Sequence, residues 1–360
     1  MKAINFSIFL LLSLFVCLLG HGYAYADDEN NFTPQQRGQF VEAPDMFEKK
    51  IFKIDNTAVF WKDNETLIFS IPNKDPAVDS SLAGLPKVVT LNVNTGEIQS
   101  TPYTGNLVCY SDTQMVVYYP PYGERHGVST YVGKFGQALE KIDQKGMSSL
   151  NYDACTTVSG GVVQLKYFDE TSVSSGDFDP TSMRNIQLKK LNGENIASLQ
   201  VPAMLGPSGG IFMLYIPYLG KYFFRHAPMN ISWNGQKVSA FWLLKDGTIE
   251  LVPTQPFLAS LAQVRPGSTL PGGAMPTPTR VGYFWDFTPT LPNWRKQGLY
   301  YEHDGTLYRV DDASVHSYPP SPNGCRIVYS RVLGSMWPVR PYGPGSDRRQ
   351  LIVIDVCNGK

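Results

Sequence analysis

Residues 321–330 read SPNGCRIVYS, and residues 350–356 read QLIVIDV. The first stretch is a Pro/Asn/Gly turn that leads into β-branched and aromatic residues, which is typical of a tight turn followed by a strand. The second stretch is a short run of β-branched and apolar residues, which is typical of a buried strand. Together they form a unit of two strands and a long loop, against which the rest of the chain can be compared.

Looser copies of this unit precede it at intervals of roughly 45 to 60 residues, a period typical of a propeller. The copies begin near residues 57, 107, 154, 211 and 281. Hairpin turns rich in Asn, Asp and Gly, which tolerate positive φ, separate the strands inside them. With the copy at 321–356, the count predicts an all-β, six-bladed β-propeller. A seven-bladed ring and a two-domain β-sandwich are the alternatives.

The last copy has no obvious outermost strand of its own, because the sequence ends at Lys360. The segment from Phe47 to Ile54 is strand-like and lies just before the first copy. We predict that this segment completes the last blade and closes the ring, which would leave no open sheet edge.

The amino-terminal residues have the features of a secretory signal. Lys2 supplies a positive charge, residues 8–19 are apolar, and Ala24-Tyr25-Ala26 is a small-x-small cleavage site. We therefore expect cleavage after Ala26 and a periplasmic or secreted protein. An uncleaved membrane anchor and a lipid anchor at Cys17 are the alternatives. The predicted organisation is a signal peptide at 1–26, an N-terminal extension at 27–46 and a single propeller domain at 47–360.

The charge of the chain is balanced. It has 31 basic and 31 acidic residues, and removal of the signal peptide takes away one lysine and no acid. A nucleic-acid binder would show a basic excess or a basic stripe, and adsorption to anionic membranes needs basic clusters. Beyond the signal, no stretch is long and apolar enough for a spanning helix. The sequence thus argues against nucleic acid as a partner and against a membrane span in the mature chain.

The copy at 321–356 resembles the WD-like repeat of TolB-type propellers. That repeat starts with Ser-Pro-Asp-Gly, which residues 321–324 match apart from Asn323 in the place of the aspartate. Its later strand has the pattern L-x-V-x-D, which residues 351–355 follow. The other copies share little with this repeat beyond its hydrophobic pattern. The resemblance implies a six-bladed propeller and, by family habit, an extracytoplasmic role that often involves protein partners.

Four cysteines remain after removal of the signal peptide, an even number typical of disulfides in exported proteins. Cys325 starts a strand and Cys357 ends its antiparallel neighbour, so we predict a disulfide between them. Cys109 and Cys155 occupy similar places in the innermost strands of neighbouring blades. They either bridge those blades or remain two buried thiols, and the sequence leaves this open.

One face of the predicted propeller carries most of the long loops. Connections from second to third strands, and from fourth strands to the next blade, emerge on the same face. The long ones are residues 71–87, 120–127, 168–184, 226–237 and 331–349, together with the Pro/Gly-rich stretch 253–280. The main exception is Phe287 to Gln297, which the sequence assigns to the opposite face. Long loops on a rigid ring are favoured places for binding sites.

Aromatic and arginine side chains are frequent in these loops. Trp, Tyr and Arg are enriched at binding hot spots, because they combine large area with directional polar groups. The alternative for any one of them is packing under its own loop or simple solvation. The candidate binding residues are Tyr119, Tyr122, Arg125, His126, Trp233, Trp337, Arg340, Tyr342 and Arg348.

Recognisable catalytic and metal-binding motifs do not occur in the sequence. The four histidines of the mature chain (His126, His226, His303 and His316) have no short metal-ligand spacing. No pair of cysteines has the Cys-x-x-Cys spacing of a zinc site. The carboxylates of Asp169-Glu170 and of Asp177 with Asp179 are interpreted as a solvated acidic loop. We expect no metal and no cofactor.

These observations favour a non-catalytic binding or scaffold propeller that engages a cell-envelope protein through the face with the long loops. One alternative is a propeller enzyme that hydrolyses a glycoside or an ester, for which Asp153 and Asp286 are the nearest candidate acids. Another is a glycan-binding lectin that uses exposed aromatic rings.

Overall fold

The structure is a computed structural model of the 360-residue chain. It describes residues 40–54, 58–72, 86–111, 113–119, 129–142, 155–158, 161–167, 183–190, 195–202, 211–226, 231–233, 236–244, 246–261, 273–288, 296–332 and 349–358. Within these residues the chain forms 26 strands and one short helix. No helix in this part of the chain has the length and apolar character needed to cross a bilayer.

Six sheets hold the 26 strands. Two short strands come first, β1 (Phe40–Glu42) and β2 (Lys49–Phe52), and they join the fifth and sixth sheets. Sheet 1 contains β3 (Val59–Trp61), β4 (Thr66–Ile71), β5 (Lys87–Asn92) and β6 (Ile98–Thr104). Sheet 2 contains β7 (Asn106–Tyr110), β8 (Met115–Tyr119), β9 (Ser129–Gly133) and β10 (Glu140–Ile142). Sheet 3 contains β11 (Cys155–Val158), β12 (Gly161–Tyr167), β13 (Met183–Lys190) and β14 (Asn195–Pro202).

The second half of the chain continues the same order. Sheet 4 contains β15 (Ile211–Ile216), β16 (Lys221–His226), β17 (Ile231–Trp233), β18 (Gln236–Leu243) and β19 (Ile249–Pro253), and helix α1 (Pro256–Leu261) follows it. Sheet 5 contains β20 (Gly273–Thr279), β21 (Gly282–Thr288), β22 (Gly298–His303) and β23 (Thr306–Asp311), with β1 at its outer edge. Sheet 6 contains β24 (Ser314–Ser317), β25 (Arg326–Val332) and β26 (Arg349–Asp355), with β2 at its outer edge.

The sheets are arranged as a five-bladed β-propeller, and helix makes up only a small part of the chain. The predicted six-bladed ring and its seven-bladed alternative are therefore wrong in blade number. The sequence argument counted repeats of paired strands, and these repeats correspond to the six hydrogen-bonded sheets. A repeat period shows how often strands pair along the chain. It does not fix how many sheets stand as blades around the axis, which depends on how neighbouring sheets pack.

Consecutive sheets pack face to face through apolar side chains. Phe223 of sheet 4 and Trp285 of sheet 5 belong to one buried cluster, and both are almost inaccessible to solvent. Phe284 of sheet 5 packs with Tyr329 of sheet 6 in the next cluster. Burial of large aromatic side chains is the main source of stability in such an arrangement, at roughly 1.5–3 kcal/mol for each fully buried residue.

The amino-terminal segment 40–52 ties sheet 5 to sheet 6. Its β2 pairs antiparallel with β26, Ile51 lying opposite Ile352, so the predicted outer strand of the last sheet is present. Its β1 pairs in parallel with β23, which the sequence did not predict, because three residues carry too little pattern. Between the two strands, Phe47 is 8% exposed and packs against Phe284 and Tyr301.

The turn at 321–325 shows why the SPNG sequence starts a strand. The Ser321 hydroxyl donates to Oδ1 of Asn323 and accepts from the backbone N–H of Arg326. The same Asn323 oxygen accepts from the backbone N–H of Cys325. Gly324 has a φ of 73°, a left-handed conformation that costs residues with a Cβ about 1–2 kcal/mol. The turn is therefore held in part by its own side chains.

The predicted disulfide between Cys325 and Cys357 is confirmed, with the two Cα atoms 5.0 Å apart. The antiparallel pairing of β25 and β26 brings these cysteines together. Cys109 is fully buried and also takes part in a disulfide. Its strand, β7, lies beside β11, which begins with Cys155. The side chain of Cys155 lies outside the described residues, so the pairing of Cys109 with Cys155 remains a prediction.

Candidate binding face

The connections between strands lie on two opposite faces. Within each sheet, strands that follow in sequence are mostly antiparallel neighbours, so successive connections alternate between the two ends of the strands. We call the end with the first-to-second and third-to-fourth connections the turn face. The other end carries the second-to-third connections and the links to the next sheet, and we call it the long-loop face.

The turn face has short hairpins. In one of them, the backbone N–H of Gly96 donates a 2.8 Å hydrogen bond to the carbonyl of Asn92. In another, Asp304 and Gly305 both have positive φ, at 48° and 74°. Such turns leave little backbone beyond the strand ends, so this face offers few groups for a flexible contact.

The long-loop face carries long connections in every sheet. The second-to-third connections are residues 72–86, 120–128, 168–182, 289–297 and 333–348, together with 227–235, which contains β17. The stretch that the sequence assigned to the opposite face, Phe287 to Gln297, therefore includes a long-loop-face connection and is not an exception. The prediction was wrong because β20 was overlooked.

The innermost strand of sheet 5, β20, contains two prolines, Pro276 and Pro278. Proline lacks an N–H and usually marks a loop, so the sequence argument placed these residues in a connection. In the structure β20 pairs on one side only, with β21. Because the two prolines are two residues apart, their nitrogens point to the same edge of β20. An edge strand can accept proline on its unpaired side.

Two of the predicted binding residues belong to strands of the described part. Tyr119 is the last residue of β8, where the chain reaches the long-loop face. Trp233 ends β17 and lies opposite Gln236, at the tip of a small hairpin on the same face. Their side chains are outside the described residues, as are Tyr122, Arg125, His126, Trp337, Arg340, Tyr342 and Arg348 in full. The structure therefore does not test whether these residues come together.

A buried ionic group lies at the base of the loop 333–348. The Tyr329 hydroxyl donates a 2.8 Å hydrogen bond to Oδ2 of Asp311, and Nε of Arg331 lies 3.4 Å from Oδ1. Burial, followed by the nearby Asp311 carboxylate, raises the pKa of Tyr329, so the phenol stays protonated and donates. Tyr329 and Arg331 are two residues apart on β25, so both side chains point to the same side of the strand.

The same group holds the amino-terminal segment. The Lys49 ammonium donates to the carbonyl oxygens of Pro44 and Val310, next to Asp311. Burial lowers the pKa of Lys49, an effect that Asp311 opposes. The side chain of Asp311 is only 1% exposed, so it cannot contact a ligand directly. This group makes a rigid base for the long-loop face, and the sequence argument missed it because its members are distant in sequence.

A second polar group lies on the inner strands. The buried guanidinium of Arg225 donates a 2.9 Å hydrogen bond to the hydroxyl of Thr277, joining sheet 4 to sheet 5. His316, on the innermost strand of sheet 6, reaches solvent although it lies deep among protein atoms. Burial, followed by the charge of Arg225, lowers the pKa of His316 to about 4. At neutral pH this imidazole is uncharged and can both donate and accept.

The residues proposed for catalysis are not assembled into a site in the described part of the chain. Asp286 is 2% exposed on β21, and Asp153 lies outside the described residues. His303 stacks on Tyr301 at the turn face, with ring centroids 5.8 Å apart, away from the long loops. Among the described residues, no group of three or more His, Cys, Asp and Glu side chains could hold a metal ion.

Comparison with known proteins does not show a family for this chain. No family model matches it, and no curated protein matches it. Similar solved structures include a prolyl endopeptidase (11% identity, TM-score 0.37, 80% of this chain and 38% of that one). They also include the Pyrococcus horikoshii acylaminoacyl peptidase (9%, 0.37, 78% and 43%) and polysaccharide lyase Uly1 (10%, 0.34, 90% and 95%). The chain thus spans about two fifths of the length of these peptidases. At such low identities and TM-scores, these similarities carry no conclusion about the activity of this chain.

Proposed function

We propose that this chain is a non-catalytic binding propeller of the cell envelope, which engages a protein partner through its long-loop face. The observation that carries the proposal is the one-sided distribution of connections. Every second-to-third connection is on the long-loop face, and each is longer than any connection between described strands on the turn face. A rigid set of sheets that presents long segments on one side is a common basis for recognition.

The composition of these segments supports a protein partner. They contain Tyr122, Arg125, Trp337, Arg340 and Tyr342, residue types that form the centres of protein interfaces. The Asp311–Tyr329–Arg331 group fixes β25, the strand from which the loop 333–348 departs. A fixed base lowers the entropy lost when a loop orders against a partner.

The compartment is part of the proposal. The Cys325–Cys357 disulfide is compatible with an oxidising environment outside the cytoplasm. The apolar amino terminus and Ala24-Tyr25-Ala26 support export with cleavage after Ala26. The repeat at 321–356 resembles that of the TolB-type propellers, whose extracytoplasmic role often involves protein partners, although the five blades of this chain differ from the six that the resemblance implies.

The test is crosslinking in cells followed by mass spectrometry of the linked peptides, with the chain at native abundance. We expect one reproducible protein partner, linked through residues 120–128 or 333–348. Combined substitution of Trp337, Arg340 and Tyr342 by alanine should abolish that link. The matched control replaces Lys62, His303 and Asp304 on the turn face by alanine and should keep it.

Two outcomes would contradict the proposal. A triple loop variant that is folded, as shown by circular dichroism, and still captures the partner would remove the site. Links to glycan alone, or turnover in a screen of glycosides and esters, would replace the protein-binding function by a lectin or an enzyme.

A further inference from the structure

The outer edge of sheet 5 holds the chain's own amino-terminal segment as if it were a bound peptide. Residues Phe40, Val41 and Glu42 run parallel to β23, opposite Leu307, Tyr308 and Arg309. Addition of an extended segment to a sheet edge is a general mode of peptide recognition. In it, backbone hydrogen bonds supply affinity, and pockets for alternate side chains supply specificity.

The first pocket takes an aromatic ring. Phe40 packs against Phe257 of helix α1 and against the edge of Tyr300, at 5.4 and 5.6 Å between ring centroids. The ammonium of Lys296 and the guanidinium of Arg309 lie 5.3 and 5.5 Å from the centre of the ring. Cations over an aromatic face are attracted by its electron density, so this pocket selects an aromatic side chain over an aliphatic one.

The second contact on this edge is to the carboxylate of Glu42, whose side chain is 55% exposed. Nη2 of Arg309 lies 2.7 Å from Oε1 of Glu42, and Nε donates a 3.0 Å hydrogen bond to Oε2. This two-pronged geometry is specific for a carboxylate. Between these two contacts, Val41 is 48% exposed, so the middle position carries no selection. The edge thus recognises the sequence aromatic-x-acidic.

Within the described residues, the internal segment pairs with the middle of this edge. β23 runs from Thr306 to Asp311, whereas β1 covers residues 307–309. The Ala43 N–H continues the pairing by donating to the carbonyl of Arg309, and the chain then turns, with the Met46 N–H donating to the Ala43 carbonyl. Beyond Arg309, the Val310 carbonyl accepts from Lys49, so a longer strand must displace that ammonium to pair further along β23.

We propose that the outer edge of β23 is a second binding site, which accepts an extended peptide with an aromatic-x-acidic sequence from a protein partner. The segment 40–42 acts as an internal competitor at this site. An internal segment has an effective concentration on the order of millimolar, so a partner must exceed it in pairing length or affinity. This site lies at the outer edge of sheet 5 and uses none of the candidate binding residues of the long-loop face.

The test uses the full chain and a fluorescent peptide that carries residues 38–43 followed by Val-Thr in place of Pro44. The variant with both Phe40→Ala and Glu42→Ala should bind this peptide at least about tenfold more tightly than the parent chain, because its internal competitor is weakened. Val41→Ala is the matched control and should bind like the parent. Adding Arg309→Ala to the double variant, or replacing the aromatic residue of the peptide by alanine, should abolish binding.

Hydrogen exchange on the unmodified chain provides a measurement that does not depend on a variant. With peptide in excess, residues 40–42 should lose protection while β23 keeps it. Equal affinities for parent and double variant, binding that survives Arg309→Ala, or unchanged exchange at 40–42 would each overturn the proposal. A dimer of the parent chain that dissociates on addition of the peptide would also overturn it, by assigning the edge to a second copy.

Discussion

The ring of Tyr218 lies against Gly324 so closely that a Cβ at residue 324 would stand 2.6 Å from two of its ring carbons. Tyr218 belongs to the turn between β15 and β16, and Gly324 to the turn before β25. The backbone N–H of Arg280, between β20 and β21, donates a 3.0 Å hydrogen bond to the Gly324 carbonyl. Inner turns of sheets 4, 5 and 6 therefore meet at one point on the turn face.

Gly324→Ala should lower the free energy of unfolding by about 2–4 kcal/mol, because it adds a left-handed alanine and a clash with the Tyr218 ring. Gly305→Ala is the matched control, since Gly305 has a φ of 74° and no atom within 4 Å of its Cβ position. It should cost only about 1–2 kcal/mol. Urea denaturation measures both values, and equal losses would show that the Tyr218 contact contributes nothing. Adding Tyr218→Ala to Gly324→Ala should recover part of the difference.

Tyr329→Phe should lower the free energy of unfolding by about 1.5–3 kcal/mol, the range for a buried hydrogen bond to a charged group. The substitution removes the donor to Oδ2 of Asp311 and leaves a carboxylate that is 1% exposed with one partner fewer. Tyr308→Phe, a half-buried tyrosine of the adjoining sheet, should change stability by less than about 0.5 kcal/mol. Denaturant titration of both variants decides the matter, and a neutral Tyr329→Phe would contradict the role given to this group.

His316 should make the fold less stable as pH falls from about 6.5 towards 4. Its pKa is lowered from 6.5 to about 4 in the folded chain, mainly by burial. The unfolded chain therefore binds more protons over this interval, and stability rises with pH across it. We expect the thermal midpoint of His316→Gln to fall less between pH 7 and pH 4.5 than that of the parent. His303→Gln, an exposed histidine of the turn face, should behave like the parent, and identical pH profiles for all three chains would contradict the prediction.

Replacing Cys325 and Cys357 together by serine should lower the free energy of unfolding by about 3–4 kcal/mol, the chain-entropy value for a loop of this size. The cysteines are separated by 32 positions in sequence. Guanidinium denaturation under oxidising conditions gives the difference in free energy of unfolding between the parent and the variant. Under reducing conditions, the stability of the parent should equal that of the variant only if the Cys325–Cys357 bond alone is reduced.

Peptide mapping without reduction should find Cys109 linked to Cys155. Cys109 is disulfide-bonded and buried on β7, and Cys155 begins the neighbouring strand β11. A fragment that joins Cys109 to any other cysteine, or a free thiol at Cys155, would refute the link. The Cys325–Cys357 fragment from the same digest is the internal control.

Local chemistry made part of this structure predictable. The SPNG turn and the antiparallel strands that follow it place Cys325 beside Cys357, and both the turn and the bond are present. The strand at 49–52 was also predictable, because the last sheet needed an outer partner. The strand β20 was not predictable, because Pro276 and Pro278 indicate a loop unless the strand is known to have an unpaired edge.

The blade number and the ionic group at Asp311 depend on packing between sheets, which no local pattern records. Asp311 meets Tyr329 only because β23 and β25 belong to sheets that face each other. Likewise, the Phe40 pocket combines α1, β1 and β22. A single sequence contains these residues but not their distances.

Sheet 6 combines one strand from residues 49–52 with strands from residues 314–355. During synthesis β2 leaves the ribosome long before β26 has been made. The backbone groups of β2 that pair with β26 therefore stay unpaired until almost the whole chain has been synthesised. Any shorter nascent chain presents an unpaired edge, which a chaperone or an export channel can hold. Sheet 6 can therefore be completed by the pairing of β2 with β26 only after almost the whole chain has been made.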